Sequence, residues 1–138
     1  MDIKNLTVLQ AKRYGVFTCL ASDSLGSVAI QMFQREVSAL VVVNASGFLN
    51  GIITRTDLVR AVALEDEWRD QPVSSAMTID VVTIGLHEPL GVVMELLLQE
   101  HIHRVVAVEY EGDRLRPVSV LSAADIIFHM AQDALGKR

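Results

Sequence analysis

Two short stretches carry the side chains best able to do chemistry. The first is Gly51-Ile52-Ile53-Thr54-Arg55-Thr56-Asp57. A strand ends and a helix begins there, so free backbone N–H groups and the helix dipole favour an anionic ligand group. A carboxylate at that place, Asp57, can accept hydrogen bonds from a sugar diol. The Thr54 hydroxyl, three residues earlier, can donate or accept toward the same ligand. Gly51 and Ile53 complete the strand and are counted among the expected ligand-binding residues, since a glycine there would let a ligand approach the backbone closely. The plainer reading is an ordinary helix cap, because Thr and Asp are common at such junctions. The second stretch is Ile102-His103-Arg104. The plainer reading of His103 is a solvent-facing residue at a strand edge, although a guanidinium there can donate two parallel hydrogen bonds to an anionic group.

The elements that must hold these residues come as a repeat. Leu25-Gly26-Ser27-Val28 returns as Leu90-Gly91-Val92-Val93, a shift of 65 residues. The shift holds from Val16-Phe17-Thr18, matched by Val81-Val82-Thr83, to Val41 and Val43, matched by Val106 and Val108. A longer turn in the second copy then raises it to 68, which carries Thr54-x-x-Asp57 onto Ser122-Ala123-Ala124-Asp125. A repeat of this length is a supersecondary unit that cannot bury its apolar faces alone. The recurrence also weighs against a chance cap at Asp57.

Each copy reads strand, helix, strand, strand, helix. The first strands are expected at Val16–Thr18 and Val81–Thr83. Leu25, Val28, Ala29, Met32 and Phe33 form an i, i+3, i+4, i+7, i+8 stripe, as do Leu90, Val93, Met94, Leu97 and Leu98. Asp23 or Ser24 can cap the first of these helices, and Pro89 suits the first position of the second. Ala39–Val43 and Val105–Val108 read as strands buried on both faces. Asn44–Gly47 and Glu109–Arg114 are turns by composition. The last helix of each copy should begin at Thr56 or Asp57 and at Asp125. The acidic stretch Leu64–Gln71, with Trp68, joins the copies, and Pro72–Met77 reads as a short helical turn. The implied units are 1–70 and 71–138. The last helices are apolar on more than one side: Leu58, Val59, Ala61, Val62, Ala63 and Leu64 in one, Ile126, Ile127, Phe128, Met130, Ala131 and Leu135 in the other. The extra faces imply a second subunit, with a twofold homodimer as the common solution.

Composition removes several function classes. The chain has 138 residues and a net charge of −5 without a basic stripe, which argues against nucleic acid as a partner. Its single cysteine, Cys19, excludes an internal disulfide and reads as a buried, inert thiol. No apolar run has the length of a signal peptide or a membrane span, so a soluble cytoplasmic protein is expected. His101 and His103 have metal-pair spacing but lack a third ligand, so no metal site is expected. No nucleophile stands beside a base and no motif pairs carboxylates, so no catalytic residue is assigned.

The Gly–apolar–apolar–Thr–x–x–Asp pattern of residues 51–57, its partial copy at 119–125, and the entry Met77-Thr78-x-Asp80-Val81-Val82-Thr83 resemble a tandem pair of CBS domains, also called a Bateman module. The resemblance covers residues 6–135. It implies an α+β fold (α/β-type) of two β-α-β-β-α repeats, with small sheets flanked by helices and a pseudo-twofold axis between the repeats. It also implies regulatory binding of an adenosine ligand: AMP, ADP, ATP or S-adenosylmethionine, with magnesium as companion of a polyphosphate. Asp57 would hold ribose, Thr54 ribose or phosphate, and Thr18 would lie near adenine. The His103-Arg104 segment is similar to one in the gamma subunit of AMP-activated protein kinase, where such a pair contacts phosphate of the ligand held by the opposite repeat. Thr83, Ser38, Ser122 and Asp125 would line a second, weaker site. There Ser119 replaces the glycine, Ala123 replaces Arg55, and Ser38-Ala39 replaces His103-Arg104. One good composite site and one weak or empty site are therefore expected, together with an unidentified regulated protein. The competing function is a structural dimerisation module that binds no nucleotide.

Overall fold

The computed structural model describes residues 2–99 and 101–137. The chain divides into two compact units: Val16–Val81, and Met1–Gly15 together with Val82–Arg138. In the first, β1 (Thr18–Leu20), α2 (Leu25–Arg35), β2 (Ala39–Val43), β3 (Leu49–Thr54) and α3 (Arg55–Leu64) follow in order. In the second, α1 (Val8–Ala11) precedes β4 (Thr83–Gly85), α4 (Leu90–Leu97), β5 (Arg104–Glu111), β6 (Arg114–Ser122) and α5 (Ala123–Ala134). Each unit has a three-stranded sheet, in order β1-β2-β3 and β4-β5-β6. The first pair in each is parallel and the second antiparallel. This follows from the connections: a helix spans each parallel pair, while a short turn joins each antiparallel one. The expected β-α-β-β-α order stands.

The central strands are the most apolar because both their faces are covered. Leu40, Val41 and Val42 are fully buried, as are Val105 through Val108. Val28, Met32, Leu40, Val42 and Ile53 centre one core. Leu90, Val93, Val105, Ala107 and Leu121 centre the other. The helical stripes supply the facing side chains.

Several expected bounds move. The first strands lie two residues later than Val16–Thr18 and Val81–Thr83. Ser24 rather than Asp23 caps α2, its side chain accepting from the Ser27 N–H. The Asp23 carboxylate instead accepts from the Leu20 N–H at 2.9 Å. Pro89 is the cap residue of α4 and not its first turn. The last helices begin earlier than Thr56 and Asp125, at Arg55 and Ala123. The expected six-residue turn at 109–114 is much shorter. The strands stay paired to Glu111 and Arg114, leaving Gly112 and Asp113 as a two-residue hairpin turn. Gly112, at φ +66°, supplies the left-handed residue such a turn requires.

The 70/71 division drawn from the repeat differs from the division in space. Residues 1–15 pack with the second copy, and residues 72–81 stay with the first. The bonds correspond at the same shift of 65. The Val8 N–H donates to the Glu88 carbonyl (2.8 Å), as Val73 N–H does to Asp23 (2.8 Å). The Leu90 N–H donates to Leu6 (2.7 Å), as Leu25 does to Gln71 (2.9 Å). The two donors, Leu90 and Leu25, are the first residues of helices, whose N–H groups have no partner within the helix. α4 needs this most, since Pro89 makes no side-chain cap bond. Val8 and Val73 are each fully buried. The segment leading into each repeat thus completes the body of the other. Gly26 and Gly91 make room for it: an added Cβ would lie 3.2 Å from the Arg69 carbonyl oxygen in one case and 3.4 Å from that of Lys4 in the other. Trp68, in the joining stretch, packs half-buried on the core of the first unit, and the Arg69 guanidinium lies 5.0 Å from its ring centroid.

Candidate ligand site

α3 begins as a capping box. Thr54 is in extended conformation, and its hydroxyl accepts from the Asp57 N–H at 3.4 Å. In return Asp57 Oδ2 accepts from the Thr54 N–H (2.8 Å) and Oγ1–H (3.0 Å). Such reciprocal bonds satisfy donors that the first helical turn leaves open. The plainer reading of the motif is therefore present in the structure, and the Thr54 hydroxyl is committed to Asp57. Asp57 is 7 % exposed. Its other oxygen, Oδ1, meets Arg60 Nη1 at 3.3 Å. Asp57, Arg60, Leu64, Gln71 and Ser75 line a cleft of about 310 Å³. Arg60 and the residues 71–76 were not singled out in the sequence. The i, i+3 spacing from Asp57 to Arg60 is the signal that could have found the arginine.

Gly51 serves a different purpose from the one expected. A Cβ there would lie 2.7 Å from the Thr78 carbonyl oxygen. Ile52 and Thr78 form an isolated antiparallel bridge, with N–H to O distances of 2.9 Å both ways. The bare Cα admits the leading segment of the second copy, so the close approach is made by the chain itself. Ile53 is fully buried in the core. Its side chain points to the face opposite Thr54, because strand side chains alternate, and so it is not brought to the Asp57 cleft.

Arg55 and Asp57 are also separated. Residues two apart on a helix do not face each other. Arg55 lines a groove of about 570 Å³ between α2 and α3, with Met32, Phe33, Glu36, Leu58 and Val59. Thr18 is exposed on β1 opposite Val41, which in turn pairs with Ile52. Thr18 and Thr54 therefore share one face of the sheet. The matching register in the second unit puts Thr83, Arg104 and Ser122 on one face, with Arg104 directly opposite Ser122. His103 is exposed just before β5. Ser38 is half-buried, and its carbonyl accepts from the Arg55 N–H at 3.1 Å.

The Asp125 carboxylate repeats the cap but not its surroundings. Oδ2 accepts from the Ser122 N–H (2.8 Å), and Oδ1 accepts from Arg13 Nε (2.8 Å). The Ser119 hydroxyl, standing where Gly51 stands in the first copy, donates to the Tyr14 carbonyl at 2.7 Å. Cys19 is buried, and burial, with the negative Asp23 second, pushes its thiol from 9.0 up to about 11. Among the described residues no group of three His, Cys, Asp or Glu side chains could hold a metal ion. No described helix is long and apolar enough to cross a membrane.

The sequence profile of the CBS domain matches residues 11–64 and again 73–132. The chain belongs to the CBS-domain family. It is a tandem CBS pair, and the two three-stranded sheets with flanking helices are those of CBS pairs of known structure. The CBS pair of protein MJ0100, in complex with 5′-methylthioadenosine and S-adenosyl-L-methionine, superposes with a TM-score of 0.80 at 24% identity, covering 96% of this chain and 98% of that one. CBSX2 in complex with AMP superposes at 0.79 and 18% identity, covering 93% and 98%. Among curated sequences, subunit gamma-3 of 5′-AMP-activated protein kinase from Sus scrofa is 34% identical over 107 residues, covering 72% of this chain and 20% of that one. Protein MJ1404 of Methanocaldococcus jannaschii is 31% identical over 97 residues, covering 70% and 22%. The CBS pair described here spans about a fifth of the length of the curated relatives it matches.

Proposed function

We propose that this CBS pair is a regulatory module that binds an adenosine ligand through the Asp57 carboxylate and changes its affinity for a regulated protein in response. The observation that carries the reading is the Asp57 cleft. It holds a buried carboxylate whose Oδ1 faces only a long Arg60 contact, and the Arg60 side chain is 61% exposed. Arg60 is solvated with or without this contact, and a ribose diol taking its place would keep the buried carboxylate hydrogen-bonded, so the exchange costs little. The ligands named for MJ0100 and CBSX2, and the kinship with a gamma subunit of AMP-activated protein kinase, support an adenosine moiety as the common chemistry. Thr18, on the Thr54 face of the sheet, is assigned to the adenine end. The phosphate end is assigned to His103 and Arg104 by the family likeness, with Arg55 acting from outside the Asp57 cleft. Thr83, Ser38, Ser122 and Asp125 are assigned to the second site, weak or empty in the wild-type chain. No catalytic role is proposed for any of these residues. The exposed apolar residues Val59, Val62, Ile127 and Met130 support a homodimer.

A second reading, a dimerisation module without ligand, draws on the same caps, since both oxygens of Asp57 and of Asp125 already have partners within the chain. A thermal-shift screen with AMP, ADP, ATP, GTP, S-adenosylmethionine and NADH separates the two. A ligand at a hundred times its Kd stabilises by about 2.7 kcal/mol. A rise in melting temperature with an adenosine ligand, and not with GTP, is expected. No rise with any of the six would overturn the proposal in favour of the second reading.

A further inference from the structure

The two capping carboxylates differ in which arginine faces them, and the difference extends to everything around that arginine. At Asp57 the cation is Arg60, one turn along the same helix and well exposed. At Asp125 it is Arg13, which comes from the leading segment and is 23% exposed. The contact there is shorter, 2.8 Å against 3.3 Å. Along the repeat, Arg13 corresponds to Thr78, and Arg60 corresponds to Phe128. The unit that loses the arginine from its helix gains an aromatic ring there, and that ring receives the other arginine. The Arg13 guanidinium carbon lies 4.9 Å from the ring centroid of Phe128 and 4.9 Å from that of Tyr14. Cations over aromatic faces are held in place, more so when partly desolvated.

The backbone that presents Arg13 is tied down on both sides. The Tyr14 carbonyl accepts from the Ser119 hydroxyl at 2.7 Å. The Ala11 carbonyl lies 2.6 Å from Nε2 of the buried His129, which must carry the proton, since a carbonyl only accepts. Ser119 and His129 have Gly51 and Ala61 as their counterparts in the first copy, and neither of those has a side-chain donor. The second unit therefore has Arg13 and, serving it, Tyr14, Phe128, Ser119 and His129, whose counterparts in the first copy are Ile79, Arg60, Gly51 and Ala61.

We propose that Arg13 determines ligand choice between the two carboxylates: it is a built-in occupant of Asp125, which it closes to the ribose diol that Asp57 accepts. This rests on the reading of Asp57 as the adenosine site. Arg60 yields to a ligand because it is solvated and held by one long contact. Arg13 stays because leaving would break a short bond to a buried carboxylate and its stacking on two rings. The substitution of Ser119 for glycine, a departure from the family pattern, then has a purpose, since its hydroxyl holds the segment that carries Arg13.

The test is calorimetric titration of the full chain with AMP. Wild type should show one site, and Arg13→Met, which keeps the apolar stem over the rings, should show two. In an Asp57→Ala background, adding Arg13→Met should tighten AMP binding at least tenfold, and further adding Asp125→Ala should abolish the gain. One site in a folded Arg13→Met protein, with the melting temperature confirming the fold, would overturn the role of Arg13. Unchanged binding in Asp57→Ala alone would instead overturn the Asp57 reading, so the two failures are told apart. Should Arg13→Met not fold, the wild-type protein still decides. The Arg13 Nε–H resonance should stay hydrogen-bonded and slowly exchanging at saturating AMP, and its conversion to a rapidly exchanging, solvent-like signal would overturn the proposal.

Discussion

Gly51→Ala separates two purposes that one glycine could serve. In the structure the new methyl would stand 2.7 Å from the Thr78 carbonyl oxygen, with Met77 Sδ at 3.4 Å. The near atom is backbone and cannot rotate away. If the chain yields, the Ile52–Thr78 bridge opens and two backbone hydrogen bonds of 2.9 Å are lost, at about 0.5–1.5 kcal/mol each. If it holds, the overpacking costs a similar 1–3 kcal/mol or so. Alanine recovers about 0.4–1 kcal/mol by restricting the unfolded chain. The net loss is then about 1–2 kcal/mol out of a typical stability of roughly 5–15 kcal/mol. For a chain of this size that lowers the melting temperature by about 3–10 °C. Scanning calorimetry measures it directly, with Gly15→Ala as control, because a Cβ at Gly15 meets nothing within 4 Å. Gly15→Ala should melt with or slightly above wild type. A Gly51→Ala protein that melts like wild type yet binds AMP more weakly would refute the reasoning and return Gly51 to a ligand role.

Val73→Ala removes two methyl groups from a fully buried side chain, which should cost about 2 kcal/mol. Hydrogen exchange should speed up in Val16–Val81, the unit Val73 packs into, and faster exchange confined to the repeat that follows it in sequence would contradict the exchanged leading segments. Gly26→Ala, with its Cβ 3.2 Å from the Arg69 carbonyl oxygen, should lower the melting temperature more than Gly91→Ala, where the nearest atom is at 3.4 Å. Cys19 should resist a thiol reagent at pH 8 and react at once in denaturant, because its thiol is pushed up to about 11 and stays protonated when folded. The folded chain then binds the proton more tightly than the unfolded one, so stability should fall as pH rises from about 9 to 11; rapid native labelling at pH 8 would contradict the burial.

The repeat and its elements were legible because apolar periodicity reports burial, and the same stripes recur at the same shift. Asp57 and Asp125 were legible as strand–helix junction residues for the same reason. What surrounds them was not. Arg13, Tyr14 and Ser119 meet at Asp125 only after the chain has passed through a hundred intervening residues, and no local pattern announces such a meeting. The leading segments share little more than Val8 with Val73 and Ala11 with Ala76, too little for a repeat to stand out. Gly51 shows the converse limit. Its residue type signals a close approach but not what approaches, and the approaching group was the Thr78 backbone. The 109–114 turn was overlong in the sequence reading because Glu109, Tyr110 and Glu111 are exposed on a strand that outruns its own buried stretch.

The most direct test of the adenosine site is the affinity of AMP for the wild-type chain, Asp57→Ala and Asp125→Ala, measured by calorimetric titration under one buffer condition. One site per chain is predicted, weakened at least tenfold by Asp57→Ala and left within about twofold of wild type by Asp125→Ala. Two equal sites, or an affinity that ignores Asp57, would contradict it.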